Sequence, residues 1–479
     1  MRHRRTTAVF VALVTAVVSV AATTERPARA TTWDPRIAPI AREVEHLRHL
    51  RFLHPIPARF LSDRAFRKEV TSDDHVGAAA KARAHRRDAV SEAELRSLGL
   101  VDGTFDLRAT VDDVQGSDVL AFYDSDRKRI VVRGKHLDAE HRVTLAHELT
   151  HGLQDQHYDL TKLQDAADTG GADDALTALI EGDATRIEDA YYGQLGAKDQ
   201  RAVDRAEGAP DPSVPADGPE NPDAVASSGT SFVSAQLDAP YAVGPGMVYV
   251  ILATRHRPGL AAAFRTPPDT QLQMLQPSLS ATRVRPVRVP APTLAPGAQR
   301  RRNGPTDVGA IDLYFLLASR LPAATAIQAA DAWGNGRELV SEQDHRLCTD
   351  LAFVGRDAAG SRRIAGALRA WSATMPVGAV RLRRGGLTLH VCDPGKTGTA
   401  PPTSAGDALD FAATRAFVES EMVRGGIPPA IARCMGDHVV ARPDYARFAA
   451  VATSAKQPAA AELKQFKQVV AGLVAGCTR

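Results

Sequence analysis

The feature that most constrains this chain is a pair of histidines four residues apart, in the stretch His147-Glu148-Leu149-Thr150-His151. On a helix that spacing projects both imidazoles from one face, one turn apart, where they reach a single ion. The surrounding text is helical from about Ala139 to His157, because Val143, Leu145, Ala146, Leu149 and Leu153 recur with helical rather than alternating period. Zinc suits neutral imidazole nitrogens at about 2.0–2.1 Å, and a reactive site needs three protein ligands with one position left for water. Water held in this way drops from a pKa of about 15.7 to roughly 7, and Glu148, which flanks the same face, stands where it can take the proton. The plainer reading, two surface histidines with an acidic neighbour, is opposed by the motif's placement.

That placement is directly behind a hairpin pattern. Val119 to Tyr123 and Arg129 to Val132 are apolar runs on either side of a polar turn, Asp124-Ser125-Asp126-Arg127-Lys128. A second helix is expected from about Asp173 to Gly193, with Leu176, Leu179, Ile180, Ala184 and Ile187 on its apolar stripe. Earlier, Pro35 to Arg51 and Ala78 to Leu98 carry helical patterns; later, helical text resumes at Gly246 to Arg255. Val308 to Cys392 mixes helices with short strands, so the fold class is α+β. Pro/Gly-rich excursions at 208–228 and 283–305 interrupt the region 31–395. Residues 396–406 form a linker, and 407–479 are expected to be a small, mostly helical module stapled by a disulfide.

The first residues, MRHRR, are cationic, and Ala8 to Ala22 form an apolar run shorter than the ~20 residues a membrane-spanning helix needs. With Ala28-Arg29-Ala30 as a cleavage pattern, residues 1–30 read as a signal peptide, and the chain as secreted with no stable membrane anchor. Their removal deletes Arg2, Arg4, Arg5, Arg26, Arg29 and Glu25, leaving 54 basic and 55 acidic side chains, and moves the net charge from +3 to −1. No nucleic-acid partner is implied; the one dense basic run, Arg300-Arg301-Arg302, reads as a solvated loop or a proteolytic nick site. The four cysteines lie in the last third, an even count in an exported chain. Three pairings are open, and the intervening linker makes Cys348–Cys392 with Cys434–Cys477 the simplest. No C-x-x-C spacing occurs that would suggest a cysteine zinc site.

The HELTH run, the hairpin before it, and the later Ala178-Leu179-Ile180-Glu181-Gly182-Asp183-Ala184 together resemble the zincin metallopeptidases, in particular the gluzincin branch of thermolysin and the aminopeptidases. The resemblance covers roughly residues 119–192 and implies a zincin-like domain, one catalytic Zn2+, and Glu181 as third ligand beside His147 and His151. It also implies that one hairpin strand lines the cleft and pairs with an extended substrate. A rival third ligand is His157, ten residues after His147, the spacing of the third histidine in metzincins. That motif needs a glycine where this chain has Gln154, so that the backbone can turn out of the helix, and Glu181 is preferred. Asp183 and Asp155 are the nearest candidates to orient the imidazoles. An oxyanion also needs a donor, for which Tyr241 in its Pro/Gly setting comes ahead of Tyr192 and His345.

The expected function is a secreted zinc metallopeptidase, an endopeptidase rather than an exopeptidase, with Glu148 as general base and a peptide or protein as substrate. Two alternatives share its residues: a non-catalytic or weakly catalytic cell-surface binding protein on a zincin scaffold, and a zinc hydrolase of a non-peptide amide. Oligomeric state and cleavage specificity leave no mark in the sequence.

Overall fold

The computed structural model describes residues 32–71, 78–116, 119–167, 170–208, 228–302, 304–376, 378–398, 405–442 and 472–478. The expected signal at 1–30, the excursion over 209–227, the linker residues 399–404 and the stretch 443–471 lie outside them. Among the described residues, no helix is long and apolar enough to cross a membrane.

Helix α1 (Ala38–Arg48) buries Ile40, Ala41 and Val44 on one side and ends at His49, whose backbone is left-handed. Strand β1 (Ala58–Leu61) and helices α2 (Asp63–Thr71), α3 (Ala78–Ser97) and α4 (Leu107–Gly116) follow. The expected hairpin is present as β2 (Ala121–Asp124) and β3 (Arg129–Arg133), and β1 adds to β3 in parallel. The sheet order β1-β3-β2 leaves β2 at an edge.

Helix α5 (Ala139–Tyr158) carries the paired histidines. It starts where the Asp138 carboxylate accepts from the His141 N–H at 3.0 Å, and ends at left-handed Asp159, whose N–H donates to the Asp155 carbonyl at 2.9 Å. Asp159 then caps α6 (Leu160–Ala166) by accepting from the Lys162 N–H. An amphipathic helix is expected here, but every residue from Val143 to Asp155 is buried, because α1, the hairpin, α7 (Gly170–Gln194) and α8 (Ala197–Gly208) pack around it. Polar groups on such a helix are costly unless each finds a partner.

Helix α9 (Ser228–Arg265) is far longer than the expected Gly246 to Arg255. It holds Pro240 and Pro245, each of which removes an internal hydrogen bond, and its backbone breaks at His256, after which Pro258 stands in the first turn of a second segment. Pro240 and Pro245 therefore sit inside a helix. Packing against α7 makes this possible: a Cβ on Gly182 would stand 2.3 Å from the Gly244 carbonyl carbon, so the two helices touch backbone to backbone.

Beyond α10 (Leu272–Leu275), β4 (Gln299–Arg300), β5 (Thr306–Asp307), α11 (Ala310–Ala318) and α12 (Ala323–Asp331) lead into a hairpin of β6 (Trp333–Gln343) and β7 (Arg346–Gly355). Helix α13 (Ala358–Ala373), β8 (Val380–Arg383) and β9 (Thr388–Cys392) complete a six-stranded sheet, ordered β4-β6-β7-β9-β8 with β5 also on β6. The three-arginine run is part of this sheet rather than a loose loop. Arg300 lies in β4, Arg301 pairs with Glu342, and Arg302 holds Glu338 at 2.9 Å and also Glu94.

Helices α14 (Ala405–Arg424) and α15 (Pro429–Val440) end the main body. Ala408, Leu409, Phe411, Ala412 and Ala416 of α14 share one core with α9, α11 and α13, and Tyr314 donates to the Ala408 carbonyl at 2.6 Å. The residues expected as a separate C-terminal module thus begin with a helix of the central core. The disulfides are Cys348–Cys392, joining β7 to β9, and Cys434–Cys477.

Candidate metal centre

His147 and His151, one turn apart on α5, face Glu181 on α7. Their Nε2 atoms lie 3.1 and 3.3 Å from the same Glu181 oxygen. One ligand atom from each of the three residues falls within 4.8 Å of the other two, and all three residues are buried. His157 lies elsewhere, with its Nε2 against the Arg51 carbonyl at 2.8 Å. The helix carries it past the site because Gln154 keeps the backbone helical where the metzincin glycine would let it turn.

Each imidazole is held from behind. The Nδ1 of His147 meets Glu188 at 2.9 Å, and that of His151 meets the Gln154 side-chain oxygen at 3.2 Å. Gln154 cannot present its nitrogen there, because that nitrogen donates to the Ile180 carbonyl at 3.0 Å and to Asp183 at 3.1 Å. Both partners are acceptors that take a hydrogen from Nδ1, which leaves Nε2 of each ring turned inward toward Glu181, the orientation that metal ligation requires. Asp183 acts one step further out. It also takes hydrogen bonds from Arg48 at 2.7 Å and Arg186 at 2.9 Å, which ties α1 to the site.

Two expected residues take other places. Asp155 accepts from the Tyr123 hydroxyl at 2.6 Å, from Lys128 at 3.0 Å and from the Leu160 N–H, so it fastens the hairpin to α5 rather than orienting an imidazole. Tyr241 stands in α9, and its half-buried ring stacks on His147 with centroids 6.1 Å apart. Tyr192 donates to Asp204 beside α8, and His345 sits at the tip of the β6–β7 hairpin with φ 60°. Glu188, Gln154 and Arg48 were not singled out by sequence. Glu188 follows Glu181 by seven residues, two helical turns along one face, which is the one local sign of its role.

Glu148 is only 1% exposed, and its carboxylate accepts from the Tyr123 N–H on edge strand β2 at 2.8 Å. Burial pushes its pKa up to about 7, against the opposing pull of His151 and His147. Burial would raise Glu181 as well, but the facing histidines hold it at about 2. Although burial disfavours the charged ring, Glu181 and Glu188 hold His147 well above the ordinary histidine range. Three carboxyl groups thus share this interior with two imidazoles, an excess of acid that a divalent cation would offset. Two nitrogens, each on a ring backed by its own partner, and one carboxylate oxygen fit such an ion.

No protein-family model, curated protein or solved structure matches this chain.

Proposed function

We propose that this chain is an exported zinc-dependent peptidase of the gluzincin kind, with His147, His151 and Glu181 as ligands and Glu148 as general base. The observation that carries the reading is the convergence of both inward-turned Nε2 atoms on Glu181, with Glu148 next along the helix. Bound there, Zn2+ would supply Lewis acidity toward a water and a substrate carbonyl. Glu148 takes the water's proton and passes it to the leaving amine; a pKa of about 7 suits both halves of that exchange near neutral pH. The Tyr123 N–H keeps that carboxylate aimed. The half-buried Tyr241, stacked on His147, is the candidate to donate to a substrate's developing oxyanion. Edge strand β2 offers an extended substrate a pairing partner. The two disulfides suit an oxidising compartment, in keeping with export.

The test is zinc content together with casein cleavage. Glu148→Gln is expected to retain one zinc per chain and to lose roughly 10²–10⁴-fold in kcat. Full activity in that variant, or stoichiometric zinc with no cleavage of any peptide in a library, overturns the proposal. The second outcome would favour a metal-dependent binding protein. That reading draws on the burial of His147, Glu148, His151 and Glu181, none of which is more than 2% exposed.

A further inference from the structure

A second group of metal-donor side chains lies on the six-stranded sheet, outside the centre described above. Cys348 and Asp350 of β7 stand in register with Cys392 and His390 of β9. Residues two apart on a strand share a face, so these four side chains form a block on one side of the sheet. Between them Thr349 and Val391 turn to the opposite, buried face. His390 and Asp350 remain about one-fifth exposed, within reach of a dissolved ion.

The His390 ring is oriented. Its Nδ1 lies 2.9 Å from an Asp350 oxygen, and since a carboxylate only accepts, Nδ1 carries the hydrogen. This turns Nε2 toward the Cys392 sulfur, 3.4 Å away. A disulfide sulfur has no hydrogen to give and accepts weakly, so an imidazole aimed and backed in this way matches the sulfur poorly while it is oxidised. Its Nε2 lone pair matches a cation shared with a thiolate. Ligand atoms of Cys348, Cys392 and His390 all fall within 4.8 Å of one another.

We propose that the Cys348–Cys392 disulfide is the oxidised form of a metal site, and that on reduction Cys348, Cys392 and His390 bind one zinc-like divalent cation, with Asp350 holding the imidazole. A dithiol supplies the two electrons and two protons, leaving as its own disulfide and freeing two cysteine thiols. Binding of the cation then expels the thiol protons to water. A ligand set of two sulfurs and one nitrogen leaves one coordination position open.

The other disulfide provides an internal contrast. Cys434, Cys477 and His438 are grouped as closely, with His438 Nδ1 3.6 and 3.8 Å from the two sulfurs. That nitrogen, however, donates to the Cys434 carbonyl at 2.8 Å, so it carries a hydrogen where a ligand needs a lone pair. The same three residue types therefore bind in one place and not in the other.

The experiment uses Co2+ as the probe on the full chain, reduced with a phosphine so that no added thiol competes. A thiolate-to-cobalt charge-transfer band reports cysteine ligation and is silent for the His147–His151–Glu181 centre, which has no sulfur. The band is expected in the reduced protein, saturating with one cobalt beyond that taken up by the His147–His151–Glu181 centre, and absent from the oxidised protein. His390→Ala should weaken or remove it, Asp350→Asn should weaken the affinity roughly 10–100-fold, and His438→Ala should leave it unchanged. No band in reduced protein that keeps its far-UV circular dichroism overturns the proposal. So does a band indifferent to both His390→Ala and Asp350→Asn, or one that His438→Ala abolishes. If His390→Ala disturbs the fold, the milder Asp350→Asn decides the matter.

Discussion

Two clusters of buried charge in this molecule are closed in different ways. In one, Arg415 of α14 is fully buried between Asp331, whose oxygens lie 3.0 and 2.7 Å from its two terminal nitrogens, and Asp437, 2.7 Å from Nε. The guanidinium is itself the cation of this cluster. In the other, His147 and His151 engage their outer nitrogens with supporting partners and turn their inner nitrogens toward Glu181. A cluster whose ligand atoms converge without an arginine among them is suited to an ion from outside, whereas one filled by its own side-chain cation holds elements together.

The largest expected effect tests the closed cluster. Arg415→Ala leaves Asp331 without its fixed cation where α12, α14 and α15 meet, and is expected to cost about 3 kcal/mol in urea unfolding. That is the low end of the range for a broken buried pair, because Asp437 is 46% exposed. Zinc affinity should not change; if it falls with stability, the clusters are not independent.

Next comes pH, read at Glu419 in the same cluster. Burial pushes its carboxyl up to about 7 against the Ser278 hydrogen bond and the pull of Arg415, from an ordinary value of 4.5. Below pH 4.5 both folded and unfolded chains hold this proton. Above it the unfolded chain releases the proton first, so this contribution to stability shrinks as pH rises and is gone above about 7. Glu419→Gln should remove a decline of about 3 kcal/mol across that window, seen as a stability curve flatter than that of the wild type. A parallel curve would mean that Glu419 is ionised throughout.

The converging cluster is tested from behind. Glu188→Gln and Gln154→Ala leave all three ligands in place but loosen the tautomers, and should lower zinc affinity roughly 10–100-fold by chelator competition. Asp183→Asn, one bond further out, should do less. Loss of stability with unchanged affinity would make these residues part of the packing only.

How much of this was legible follows the range of each interaction. The i,i+4 histidines, the hairpin and the two interior helices carry short-period signals, and the even cysteine count with a linker between the pairs pointed to the disulfides that the structure holds. Glu188 was not legible, because it acts across helices on a ring 41 residues away; Arg48 reaches Asp183 over 135. No window of sequence contains such pairs. Helix α9 was hidden by the very prolines it accommodates, and the span 283–305 by a strand of two residues that exists only because β6 pairs with it.

The smallest expected effect removes the rival ligand. His157 lies near the end of α5, where its Nε2 meets the Arg51 carbonyl and helps join the α1–β1 connection to the helix. His157→Ala loses that one hydrogen bond at a partly exposed position, for about 0.5–1 kcal/mol of stability. Zinc affinity should stay within twofold of the wild type, while Glu181→Ala abolishes binding in the same assay. The two variants divide the branches cleanly, because the residues belong to different elements and share no partner. If His157→Ala instead released the metal, α5 would have to end earlier than Tyr158 and turn His157 back toward His147. The Gln154 contacts that orient His151 would then be broken as well.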